Sequence, residues 1–120
     1  MMRITVDLEF GPDGWPDLAG GGVLAVRVQD VSLMDAPART VASRSVPVPS
    51  GGTVPTAFAL ALPEPEAVAR YAASAVLNLG WAPSDGEWLR PGDWLSTTHH
   101  QIRPGDRTVT VRLERYAPGG

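Results

Sequence analysis

The chain of 120 residues contains no cysteine and no lysine. Without cysteine there is no disulfide, no thiolate zinc site and no cysteine nucleophile. Without lysine, every non-histidine cation is an arginine. The ten arginines, from Arg3 to Arg115, stand singly among thirteen carboxylates for a formal charge of −3. A duplex-binding domain carries a clustered positive face, so nucleic acid is not an expected partner. Long apolar runs are also missing: no stretch reaches the ~18 residues of a membrane-crossing helix, and no membrane insertion is expected. The glycines lack the spacing of a phosphate or dinucleotide loop, and Gly20-Gly21-Gly22 reads as a flexible linker before a strand. The serines form no nucleophile-elbow motif. No cofactor or metal is implied.

What is present is ordinary globular material, 43% hydrophobic and 19% charged. The chain is long enough to bury a core without a metal or disulfide, so residues 1–120 read as one domain with a frayed tail at 117–120. Apolar residues recur with period two, the spacing that lines one face of a strand. Ile4, Val6, Leu8 and Phe10 alternate with Thr5, Asp7 and Glu9; Leu24, Val26 and Val28 do the same, until the alternation slips at Asp30-Val31-Ser32-Leu33 in the manner of a bulge. Further strands are expected over 40–48, 53–62, 71–79, 94–102 and 108–116, with a short one around 87–90 and one helical turn within 66–70. Pro47 and Pro49 suggest that the third strand lies at an edge or ends there, because proline cannot donate to a ladder. About seven strands separated by turn signals predict an all-β, two-sheet sandwich of antiparallel strands.

Three places could carry function. Trp81, Trp88 and Trp94 fall within fourteen residues of a Gly-, Pro- and Asp-rich stretch. Indoles there either cap the open end of a small sandwich or form a binding site, being large, rigid and enriched at hot spots. His99 and His100 are adjacent, so on a strand they point to opposite faces and cannot readily share a metal. They are either polar residues near a strand end, or one serves as a base with Asp93 or Asp106. Finally, Ala57, Ala59 and Ala61 on the fourth strand and Ala72, Ser74 and Val76 on the fifth lie opposite the inward sets. If those strands are neighbours, their small side chains form a flat patch suited to a homodimer interface; otherwise they are ordinary surface alanines.

The segment Val23 to Ala38 then adds a resemblance. Asp30-Val31-Ser32-Leu33 and Asp35-Ala36-Pro37-Ala38 match a D-V-S-L-x-D-A-P-A element. They are followed in order by the strand at 40–48, a V-P-x-x-F-x-L-like strand at Val54 to Leu60, a Pro/Glu-rich connection and the Tyr71-Ala72-Ala73-Ser74-Ala75 strand. Over about residues 20–115 this resembles the YbaY-type lipoproteins, a family that takes in the YscW-type pilotins of type III secretion. The resemblance implies an immunoglobulin-like β-sandwich of about seven strands and a role as a small chaperone or pilot that binds a partner protein. Relatives of that kind are secreted lipoproteins with a signal peptide and an acylated cysteine. Met1 to Phe10 shows no signal-peptide core, and a cytoplasmic location is the expectation.

Two functional readings follow. The first is a non-enzymatic protein-binding or chaperone-like module. The alternative is a small-molecule-binding protein or small enzyme that uses Trp81, Trp88 and Trp94 with His99 or His100. They differ in whether the three indoles converge on one concave pocket with a histidine in its wall.

Overall fold

The alternating segments become strands because each has one apolar face to bury. In the computed structural model, which describes residues 2–11, 16–32, 38–63, 70–98, 100–103 and 105–117, the strands are β1 (Met2–Phe10), β2 (Gly22–Asp30), β3 (Arg39–Val48), β4 (Ala57–Leu62), β5 (Tyr71–Leu79), β6 (Trp94–Leu95), β7 (His100–Ile102) and β8 (Thr108–Arg115). Ile4, Val6 and Leu8 of β1, Leu24, Val26 and Val28 of β2, and Phe58, Leu60 and Leu62 of β4 all enter one core. Tyr71, Ala73, Ala75 and Leu77 of β5 join them, with Val111 and Leu113 of β8. Each fully buried aliphatic side chain of this kind contributes roughly 1.5–3 kcal/mol of transfer free energy.

The all-β expectation holds, while the arrangement of the strands differs from two separate sheets. The hydrogen-bonded order is β3-β2-β5-β6-β8-β1-β4, with β7 on β5. Two-residue β6 pairs with β5 through Val76↔Leu95 and Leu77↔Trp94, and with β8 through Trp94↔Arg115 and Leu95↔Glu114. That short strand joins the halves into one barrel-like sheet, not an immunoglobulin-like sandwich. Nor are the strands uniformly antiparallel: β1 and β8 run parallel, from Thr5↔Thr108 to Phe10↔Leu113. The barrel stays open where β3 and β4, its two edges, face each other, and there the Arg44 guanidinium carbon lies 5.5 Å from the centre of the Phe58 ring. Pro47 sits in edge strand β3, as its missing N–H requires.

Several local features depart from the pattern expected. β4 begins at Ala57, because Pro55 has no donor for a ladder; Thr56 still accepts from the Leu8 N–H over 2.8 Å. The strand expected over 94–102 breaks into β6 and β7, since five steps from Leu95 to His100 face three from Val76 to Ala73. Ser96 occupies the break, its N–H donating to the Ala75 carbonyl and its Oγ accepting the Ala75 N–H, each over 3.0 Å. Around 87–90 there is no strand beyond an isolated Ser84↔Glu87 bridge. The irregularity expected at Asp30 to Leu33 falls earlier, as a register shift against β3 between Val28 and Gln29, and the Asp30 carboxylate accepts from the Ser32 N–H over 3.0 Å and from the Ser32 hydroxyl. The expected helical turn and the Leu33-to-Pro37 part of the motif lie outside the described residues.

The glycine run is a packed corner, not a loose linker. Gly21 has φ +69°, and a Cβ at Gly22 would stand 2.3 Å from the Asn78 carbonyl oxygen. Only a residue without a side chain lets β2 start this close to the end of β5.

Candidate functional site

Between β5 and β6 the chain makes a loop, residues 80–93, that folds back over the outer face of the sheet. Its anchor is Asp93, which is buried. One carboxylate oxygen accepts the Leu79 N–H over 2.9 Å; the other accepts the Arg90 N–H over 2.9 Å and the Asn78 side-chain amide over 3.0 Å. The Trp81 indole N–H reaches both oxygens, at 3.1 and 3.3 Å. A buried carboxylate is tolerated when donors surround it in this way. The Asp93 backbone is also held, its carbonyl accepting the Tyr116 N–H over 2.7 Å. On the loop's surface Arg90 stacks 4.0 Å above the Trp81 ring and forks onto Glu87 through 2.9 and 2.7 Å bonds. That fork lowers the Glu87 pKa below its ordinary value.

The three indoles therefore have three different environments and do not converge. Trp94 is core, edge-on to Phe10 with centroids 5.6 Å apart. Trp81 is half-buried between Asp93 and Arg90. Trp88 is 54% exposed, and among the described residues no other large apolar side chain is so open. Its backbone is nonetheless pinned: the Trp88 carbonyl accepts from Asn78 Nδ2 over 2.8 Å.

Beneath Trp88 lies a hollow of about 440 Å³. Its floor is the outer face of β3, β2 and β5, where register places Ser45, Ala25 and Val76 in one row and Ser43, Arg27 and Ser74 in the next. Pro83 and Trp88 supply the wall. Apart from Arg27, the side chains of this floor are small.

His100 takes no part in the hollow. His100 accepts the Arg112 N–H at Nε2 over 3.2 Å, and His99 lies outside the described residues. Asp93 is committed as described, and Asp106 accepts the Arg103 N–H over 2.8 Å; among the described residues neither carboxylate is bonded to a histidine. No three His, Cys, Asp or Glu residues cluster among the described residues. The alanine patch is divided: β4 neighbours β1 and β5 neighbours β2, so Ala57, Ala59 and Ala61 are exposed on one edge strand while Ala72 is buried and Val76 is half-buried in the hollow's floor. Although consecutive in the chain, the two strands are not paired as a hairpin.

Sequence reasoning singled out Trp88 but missed Asn78 and Arg27. Asn78 follows a clean alternation in β5 and carries no motif. Its one signal is an amide in a strand otherwise built of apolar and small residues.

Comparison with known proteins agrees with this architecture. The chain matches an alternative pilotin from the type II secretion system of Vibrio cholerae at 30% identity, over 96% of each chain, with a TM-score of 0.69. No curated protein matches it. The family described as type III secretion system lipoprotein chaperone (YscW) matches residues 17–81, which include β2, β3, β4, β5 and therefore the whole floor of the hollow. This chain belongs to the YscW family of type III secretion lipoprotein chaperones.

Proposed function

We propose that this protein is a secretion-related chaperone that binds a partner protein by seating one of its segments in the hollow under Trp88. The supporting observation is Trp88 itself, a large apolar ring left 54% exposed on a loop whose backbone is fixed from beneath. Exposing an indole forgoes burial energy, and fixed, exposed aromatics are the usual anchors of protein interfaces. The hollow's volume falls within the ~300–1,000 Å³ of ligand-binding clefts. The family description and the likeness to the Vibrio cholerae pilotin support a secretion-related chaperone role.

A photo-crosslinking amino acid at position 88, expressed in the native host, tests this. The expected result is a discrete adduct identified by mass spectrometry as a secretion-system component, with no such adduct from position 61 on exposed β4. Equal labelling from both positions, or no adduct at 88, overturns the reading.

A further inference from the structure

We infer that the seated segment presents a carboxylate beside an apolar side chain, Arg27 receiving the acid and Trp88 the apolar group. This rests on the hollow being the docking place. The floor carries the chemistry. Arg27 is the one charged side chain in its two rows, flanked on paired strands by Ser43 and Ser74, with Ser45 in the neighbouring row. Among the described residues no carboxylate lines the hollow. Among the described residues Arg27 has no ion pair and the three serine hydroxyls have no hydrogen-bond partner. The other arginine at the rim, Arg44, is turned to the Phe58 ring, and Glu87 on the covering loop is already forked to Arg90.

A protein of net charge −3 thus holds a local positive site with free donors. Guanidinium and hydroxyl donors suit a carboxylate, which guanidinium grips through two parallel bonds. A neutral apolar segment would cover Arg27 without pairing it, at a desolvation cost. A lysine-bearing segment would be repelled. The rings of Pro83 and Trp88 face the same space and offer no partner for a charge, so the apolar group belongs on that side.

The test uses the full chain, isotopically labelled, titrated at low salt with three capped hexapeptides, (Leu-Glu)3, (Leu-Gln)3 and (Leu-Lys)3. Low salt keeps an exposed charge pair from being screened. The glutamate peptide is expected to move the Trp88 indole and Arg27 Nε–H resonances and to bind about tenfold more tightly than the glutamine peptide. Arg27→Gln should equalise the two, and Arg27→Lys should keep part of the preference. Equal affinities for the parent, or a preference that survives Arg27→Gln, overturn acid recognition while the crosslinking result at position 88 still stands or falls separately. So does a failure of all three peptides to move Trp88.

Discussion

Asn78 and Asp93 meet under the 80–93 loop, and a single amide nitrogen of Asn78 divides its two hydrogens between them: one to the Asp93 carboxylate at 3.0 Å, the other to the Trp88 carbonyl at 2.8 Å. The buried acid and the exposed indole are therefore coupled through one side chain. Asp93→Ala would strand donors from Asn78, Leu79, Trp81 and Arg90, and hydrogen bonds to charged groups are worth about 1.5–3 kcal/mol each before relaxation and water offset them. Urea unfolding is expected to show a loss of about 3 kcal/mol, with Asp93→Asn losing less because it keeps one acceptor. A loss within about 0.5 kcal/mol would mean that the loop does not depend on this anchor.

The tryptophans should separate cleanly by substitution. Trp88→Ala is expected to change unfolding free energy by less than about 1 kcal/mol, as a surface replacement. Trp94→Ala, which empties a core position against Phe10, should cost about 3–5 kcal/mol. Reversed magnitudes would place the exposed and core roles on the wrong residues.

Much of the fold was legible because one-sided burial writes itself into period two. β1, β2, β4 and β8 were found by counting, and Pro47 marked the edge. What could not be read was pairing. Nothing in Thr108 to Arg115 says that it lies parallel to β1, since side-chain alternation is the same for either direction. The two residues of β6 that join the halves carry no pattern at all, and the break at Ser96 depends on a hydroxyl substituting for a ladder group. At the site, a tryptophan on an irregular stretch was visible as a candidate, but its separation from Trp81 and Trp94 is set by Asp93, whose role comes from long-range geometry. Arg27 looked like any outward strand residue.

Gly22→Ala should be costly although the change is one methyl group. Its Cβ would meet the Asn78 carbonyl oxygen at 2.3 Å, backbone that cannot swing aside. Overpacking of this kind costs about 1–3 kcal/mol. Gly86→Ala, where a Cβ meets nothing within 4 Å, is the control and is expected to be nearly neutral. Thermal unfolding of the pair decides the matter.

Arg44→Ala tests the open seam. A cation stacked on an aromatic ring at a solvent-facing site contributes about 0.5–1 kcal/mol, so global stability should fall only slightly. Hydrogen exchange should nevertheless accelerate in β3 and β4 more than in β1 or β5. Uniform acceleration would show that Arg44 does not act at the seam.

Asp30 gives a pH-dependent signature. The Ser32 hydroxyl first, then the Ser32 N–H and the charge of Arg39, hold its pKa below the ordinary value of 3.8. With the folded value depressed, the charged carboxylate contributes stability above the unfolded pKa. That contribution is lost as pH falls through the folded one. Ser32→Ala is expected to bring the Asp30 titration, followed by NMR of its carboxyl carbon, up toward the usual aspartate range. An unchanged titration would remove the serine as the cause.

The parallel pairing of β1 with β8 gives the molecule a polarity. Met2 starts at the end where β8 begins, whereas Asp93 clasps Tyr116 just past the end where β8 finishes, and Phe10 reaches Trp94 there as well. A tether fused ahead of Met2 would leave the Trp88 end pointing away from its point of attachment, like a hook on a line, while a tag placed after Tyr116 would emerge beside the hook itself.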